Sequence, residues 1–183
     1  MPKKSKKEIL LKSFKELALQ KPISKITITN ITDNCGLSQP TFYRYFKDKY
    51  DLIEWSYISD TGEIMGRIGK QGYQWRDTLY DAMRCFDENR DLMVNALKHT
   101  SGRDAFIQQM ERTNIDLLCN EVRKTTMTEK IPDDILDMVK IYCYGTVRLT
   151  CEWLADELPI TPERLAEVME RSLPEPLKVY LYP

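Results

Sequence analysis

Apolar residues recur at Leu10, Phe14, Leu17 and Ala18, with lysines between them, over residues 5–20. The i, i+4, i+7, i+8 spacing gathers them on one face of an amphipathic helix, and Pro22 stops it. In Ile26-Thr27-Ile28-Thr29-Asn30-Ile31, either Thr27 or Thr29 is placed to cap a short helix running to Cys35. Gly36 then supplies a left-handed residue to end it. Ser38 caps a further helix whose first turn tolerates Pro40, because an amide hydrogen there has no partner to lose. The pattern predicts helix, a tight turn through Gly36-Leu37-Ser38, and helix.

The helical period continues to the end of the chain. A long helix is predicted from Asp48 to about Gly66, followed by a flexible connection at Gly66, Gly69 and Gly72. Helices over Trp75–Asn89, Arg90–Lys98 and Arg103–Lys124 come next. Residues 132–155 carry two apolar stripes: Ile135, Met138, Val139, Tyr142, Thr146, Leu149 and Trp153 on one side, Tyr144, Val147, Cys151 and Leu154 on the other. A helix apolar on two sides needs cover on two sides. One stripe is expected to face the chain's own core and the other a partner subunit, with Gly145 allowing close approach. Thr161-Pro162-Glu163 starts a last helix, which Pro174 and Pro176 end. No strand period is found. The expected fold is all-α, with about nine helices.

The helix after Gly36 carries the candidate chemistry. Phe42 and Phe46 share one face and are expected in the core, while Thr41, Tyr43, Arg44 and Tyr45 surround the other side. Four consecutive helix positions span most of a turn, so these aromatics cannot all point inward. At least one tyrosine is exposed, and its hydroxyl suits a phosphate. Two short helices joined by a tight turn form a helix-turn-helix, whose second helix fits a major groove. Charge adds to this: the first fifty residues carry eleven Lys and Arg against four Asp and Glu, a net of +7, and the remaining 133 a net of −8. A basic head suits a polyanion, although a solvated, lysine-rich helix start gives the same count.

The stretch Ile26-Thr27-Ile28, Ile31, Cys35-Gly36-Leu37-Ser38, Thr41-Phe42-Tyr43-Arg44-Tyr45-Phe46-Lys47-Asp48-Lys49 and Leu52 closely resembles the N-terminal domain of TetR/AcrR-type regulators, over about residues 5–60. Pro40, Tyr45 and Cys35 depart from the commoner glycine or small residue, histidine and alanine of that family. The region from about residue 70 onward is similar to the C-terminal domain of regulators of dihydroxyacetone kinase operons. The resemblance implies a DNA-binding head over 1–50, with the connecting helix starting near 48, and an effector-binding and dimerisation domain over 51–183. By motif position Gln39, Pro40 and Thr41 are the expected base readers: Gln39 can donate and accept toward adenine, and Pro40 and the Thr41 methyl can touch a thymine methyl. Thr27, Ser38, Tyr43, Tyr45 and Lys49 are the expected phosphate contacts. Arg44 is a further DNA candidate, or it pairs with an acidic neighbour.

The resemblance also implies a homodimer through the helices at about 132–155 and 161–172, which sets two recognition helices roughly 34–36 Å apart on double-stranded DNA. An effector pocket among the body helices has Trp75, Phe86, Met93, Phe106, Met110, Tyr142, Arg148 and Trp153 as candidate lining. Aromatic and methionine positions at helical spacing are more often core than ligand contacts, and an i, i+4 pair with Glu152 explains Arg148 at least as well. The expected role is that of a ligand-responsive repressor. The alternative is an activator whose C-terminal domain binds a partner protein.

Other classes find little support. The sole histidine, His99, offers little for a metal site or a Ser-His-Asp triad, and no glycine-rich phosphate loop is present. Five scattered cysteines, Cys35, Cys85, Cys119, Cys143 and Cys151, contain no Cys-x-x-Cys pair and suit free thiols in a reducing compartment. No apolar run approaches the ~18–20 residues of a membrane span. No catalytic residue, metal, cofactor or membrane contact is expected, and the expected location is the cytoplasm.

Overall fold

The computed structural model describes residues 5–99 and 103–182; Lys3 and Lys4 of the basic head lie outside them. The described residues form ten α-helices and no strand: α1 (Lys6–Ala18), α2 (Ile28–Cys35), α3 (Gln39–Tyr43), α4 (Lys49–Met65), α5 (Trp75–Glu88), α6 (Arg90–His99), α7 (Arg103–Thr126), α8 (Asp133–Leu154), α9 (Pro162–Arg171) and α10 (Glu175–Leu181). A 3-10 turn, Ile23–Lys25, lies between α1 and α2. The all-α expectation holds. The chain divides into two compact units, one of residues 1–59 with 91–106, the other of 60–90 with 107–183.

In the first unit, α1 packs on α2 and α2 on α3. Leu10 and Phe14 of α1, Ile23 and Ile26 of the connection, Ile31, Phe42, Phe46 and Leu52 are all buried. Each such side chain stabilises the unit by about 1.5–3 kcal/mol. The Ser13 hydroxyl donates to the Ile31 carbonyl at 2.7 Å and ties α1 to α2. Between the two candidate caps Thr27 wins, because Asn30 returns the bond. The Thr27 side chain accepts from the Asn30 amide at 3.1 Å, and Asn30 Oδ1 accepts from the Thr27 amide at 3.2 Å. Gly36 adopts φ 67° and ψ 27°, as its position predicts. The unit is larger than the segment 1–50, since residues 91–106 also belong to it.

In the second unit α5 packs on α9 and α8 on α10. Three expectations are corrected here. The glycine connection is a closed turn: Gly69 and Gly72 take positive φ, and the Gly69 amide donates to the Tyr73 carbonyl at 2.9 Å. Arg67 and the Tyr73 hydroxyl both bind Asp81, at 3.0 and 2.8 Å, and hold the turn to α5. The helix from Pro162 stops at Arg171, before Pro174 and Pro176, but it is not the last: these prolines start α10, with Pro174 at its N-cap and Pro176 in its first turn. The third correction concerns α8, where Val147, Cys151 and Leu154 of the second stripe are buried within the chain. They are therefore not available to a partner. The apolar side chains still open on α8 are Ile141, 71% exposed, and Tyr144, 47% exposed.

Candidate nucleic-acid interface

The turn between α2 and α3 is built by local chemistry. The Leu37 amide reaches back to the Thr32 carbonyl at 2.9 Å once Gly36 has turned left-handed. Ser38 caps α3 by accepting from the Thr41 amide at 3.4 Å, and its hydroxyl meets that of Thr41 at 3.0 Å. Phe42 anchors α3 in the core. The helix axis is thus fixed at both ends, and Ser38, Gln39 and Pro40 are exposed at its start, with Thr41 half-buried.

Tyr43 is the exposed tyrosine that the aromatic run requires, at 57% exposure. Its ring stands edge-on to Phe42 at 5.7 Å, so its position is inherited from the core. Tyr45 is half-buried, and Arg44 lies over its ring at 5.0 Å while donating to its hydroxyl at 3.2 Å. The neighbour that Arg44 takes is aromatic and not acidic. Thr27 spends an acceptor lone pair on its cap and keeps its hydroxyl hydrogen for a further bond.

One residue of this surface was considered in the sequence only as a candidate helix cap. Thr29 of α2 accepts from Gln39 Nε2 at 2.9 Å, which orients the amide of the first expected base reader. Its sequence signal is weak, because a threonine in a short helix usually reads as a candidate cap.

Lys49, an expected phosphate contact, is engaged within the head in the structure. Its ammonium donates to the carbonyls of Ile23 at 2.6 Å, Ser24 at 3.2 Å and Ile26 at 2.8 Å. An ammonium has three hydrogens, so all are engaged inside the head. Burial pushes its pKa below the ordinary lysine value, partly offset by Asp48. Asp48 also offsets the positive charge at the start of α4 by accepting from the amides of Tyr50 and Asp51 at 2.8 and 2.9 Å.

The effector candidates divide between the units. Met93 and Phe106 lie in the first and are buried, Phe106 edge-on to Tyr57 at 6.5 Å. The other six lie in the second. There Trp75 Nε1 donates to the Tyr142 hydroxyl at 3.1 Å, which donates to the Met169 carbonyl at 3.0 Å. Trp153 Nε1 donates to the Ile160 carbonyl at 3.0 Å, under the Arg90 guanidinium at 4.6 Å. The polar ends of these three aromatics are thus used to join helices and loops. Met110 is buried and Phe86 half-buried. Arg148 is exposed and pairs with Glu152 at 3.0 Å, the i, i+4 partner. Among the described residues, no group of three His, Cys, Asp or Glu is placed to hold a metal, and no helix is long and apolar enough to cross a membrane.

Two family models match the chain, one at each end. Residues 73–175 match the family described as a transcriptional regulator C-terminal region, and residues 10–54 match the bacterial regulatory proteins of the tetR family. Over 83 residues the chain is 28% identical to the HTH-type dhaKLM operon transcriptional activator DhaS of Lactococcus lactis subsp. lactis (strain IL1403); the matched stretch covers 45% of this chain and 44% of that relative. The solved structure of the dihydroxyacetone kinase operon activator DhaS superposes with a TM-score of 0.66 at 19% identity, over 96% of this chain and 97% of that one. A TetR transcriptional regulator from Rhodococcus sp. RHA1 gives 0.59 at 17% identity, over 91% of both chains. The helix-turn-helix of α2 and α3, joined to a C-terminal region that matches over more than half of the chain, shows that this protein is a transcriptional regulator belonging to the TetR family.

Proposed function

We propose that the protein binds a pseudo-palindromic duplex as a homodimer and reads it with α3, using Gln39, Pro40 and Thr41 on base edges and Thr27, Ser38, Tyr43, Arg44 and Tyr45 on the backbone. The observation that carries this is the start of α3: Gln39 and Pro40 are exposed on a helix anchored by Phe42, with the Gln39 amide held by Thr29 and Tyr43 exposed alongside. A capped helix N-terminus adds the positive end of its dipole toward phosphate. Two copies are needed because a lone helix-turn-helix neutralises few phosphates. The open face of α8 supports the dimer, since Ile141 and Tyr144 flank Gly145, where a Cβ would meet nothing within 4 Å. A second helix has room to approach there.

Selection of bound sequences from a random duplex pool tests the proposal. A two-fold symmetric site is the expected result. Salt-labile binding with no preferred sequence would refute it.

On the sign of regulation, the ligand-responsive repressor expected from the family stands beside a second reading, an activator whose C-terminal region binds a partner protein. The similarity to a relative named as an activator favours the second. A reporter placed downstream of the selected site separates them: transcription falls on adding a repressor and rises on adding an activator.

A further inference from the structure

The connection between α1 and α2, residues 19–27, is gripped from two sides by side chains distant in sequence. From the start of α4, the three donors of Lys49 take the carbonyls of Ile23, Ser24 and Ile26. From α6, the Asn95 amide spans the other side of the same segment. Its Oδ1 accepts from the Ile23 amide at 2.9 Å, and its Nδ2 donates to the carbonyls of Ala18 at 3.1 Å and Lys21 at 3.3 Å. Lys21 continues the chain of bonds by donating to Asn30 Oδ1 at 2.9 Å, the atom that completes the cap of α2. Ile26 precedes the cap residue Thr27 and Ile31 stands four positions after it; both are buried. That is the spacing of a hydrophobic staple, which sets the entry angle of a helix.

We propose that Lys49 and Asn95 are positioning residues for DNA reading. Together they fix the α1–α2 connection, and through it the angle at which α2 and α3 present Gln39 and Thr41, so that Lys49 acts through backbone carbonyls instead of a phosphate. The proposal rests on the DNA-binding reading above.

The chemistry at each end is specific. A compact charge with three rotatable donors suits three carbonyls that converge on it, whereas arginine holds its donors in one rigid plane. Only a carboxamide both accepts from the Ile23 amide and donates to two carbonyls. Asn95→Asp keeps the acceptor and loses both donors, setting a negative charge against the carbonyls of Ala18 and Lys21. Asn95→Leu keeps the volume and loses all three bonds. The segment holding Asn95 returns to the head after thirty-one residues, 60–90, spent in the other unit, so displacement of α6 would strain the connection that leads into the reading helices.

The test uses the full chain and two labelled duplexes, one taken from the selection experiment and one scrambled, in a salt series. Lys49→Met and Asn95→Leu are each expected to weaken binding to the selected duplex about tenfold, and to the scrambled one by less than about threefold. The slope of log affinity against log salt stays unchanged in Lys49→Met, because a lost phosphate contact would lower it by about 0.9. The double variant loses less than the product of the single effects, since both residues hold one segment. Lys49→Met acting equally on both duplexes with a flattened slope would assign Lys49 to phosphate and overturn the proposal. Wild-type discrimination in Asn95→Leu would also overturn it. If Asn95→Leu melts the head, Asn95→Asp replaces it under the same criteria. Amide hydrogen exchange reads the clamp without DNA: the amides of Ile23 and Ile26 exchange faster in both variants while those of α8 are unchanged. A wild-type chain that prefers no duplex would sink the DNA-binding reading, yet the exchange data would still show whether the clamp exists.

Discussion

At the scale of single residues, the proposed recognition surface depends on hydrogen bonds that second residues impose. Gln39 can present its amide to a base in more than one rotamer, and the bond its Nε2 donates to Thr29 Oγ1 selects one. Thr29→Val keeps the shape and removes the acceptor. It is expected to reduce discrimination at the base pair read by Gln39 about three- to tenfold, while leaving the other positions alone, since one bidentate base contact is worth ~1–3 kcal/mol. Binding to a panel of duplexes substituted one pair at a time measures this, and a uniform loss across the panel would count against it. Tyr43→Phe has the opposite signature. Its ring stays against Phe42 and only a backbone contact is lost, so all duplexes should weaken alike.

The elements are delimited mostly by local rules, and their failures show where those rules stop. Gly36 sits at positive φ with open space around the position a Cβ would take. Gly36→Ala therefore costs backbone strain and no clash, about 1 kcal/mol, visible as a lower midpoint in urea unfolding at unchanged slope. On α8, one of the two apolar stripes was expected at a partner, but most of both is buried within the chain, because burial is decided by what packs there and not by spacing. What remains open is narrower. Ile141→Asp adds a charge to the exposed face beside Gly145 without touching the buried stripe. The expected result is a shift from dimer to monomer in light scattering with the helical content intact; a dimer that survives the substitution would move the interface elsewhere.

For the whole molecule, burial of ionisable groups sets a limit at high pH. Cys143 is buried, and burial raises its thiol from 9.0 to about 12, with the neighbouring Cys119 adding to the shift. Burial also raises the Tyr142 hydroxyl, which bridges Trp75 and α9. A group whose pKa is raised on folding stabilises the fold fully below its unfolded pKa and loses that contribution as pH climbs through the folded one. Stability is therefore expected to fall from about pH 9 to about pH 12, followed by circular dichroism at a fixed denaturant concentration. Cys143→Ser removes the thiol's share of that decline. The half-buried Cys35 and Cys85 should react with thiol reagents before the buried Cys119, Cys143 and Cys151.

The sequence by itself determined the helical class, the turn at Gly36, the caps at Ser38 and Thr161, and the exposed start of α3, because each is a rule acting over a few residues; it narrowed the cap of α2 to Thr27 or Thr29. The Arg148–Glu152 pair, one helical turn apart, was one of two readings of the sequence, and the structure shows it. The tertiary structure alone decided the destinations of long side chains. Lys49 lies twenty-six residues from Ile23, and Asn95 seventy-two. No spacing rule reaches that far, so a lysine that reads as a phosphate contact in the motif turns out to hold the backbone of the head. Trp75, Tyr142 and Trp153 read as core before ligand contacts, but the sequence did not show their partners. Their hydrogen bonds to one another and to the carbonyls of Met169 and Ile160 are made between helices and loops that only folding brings together.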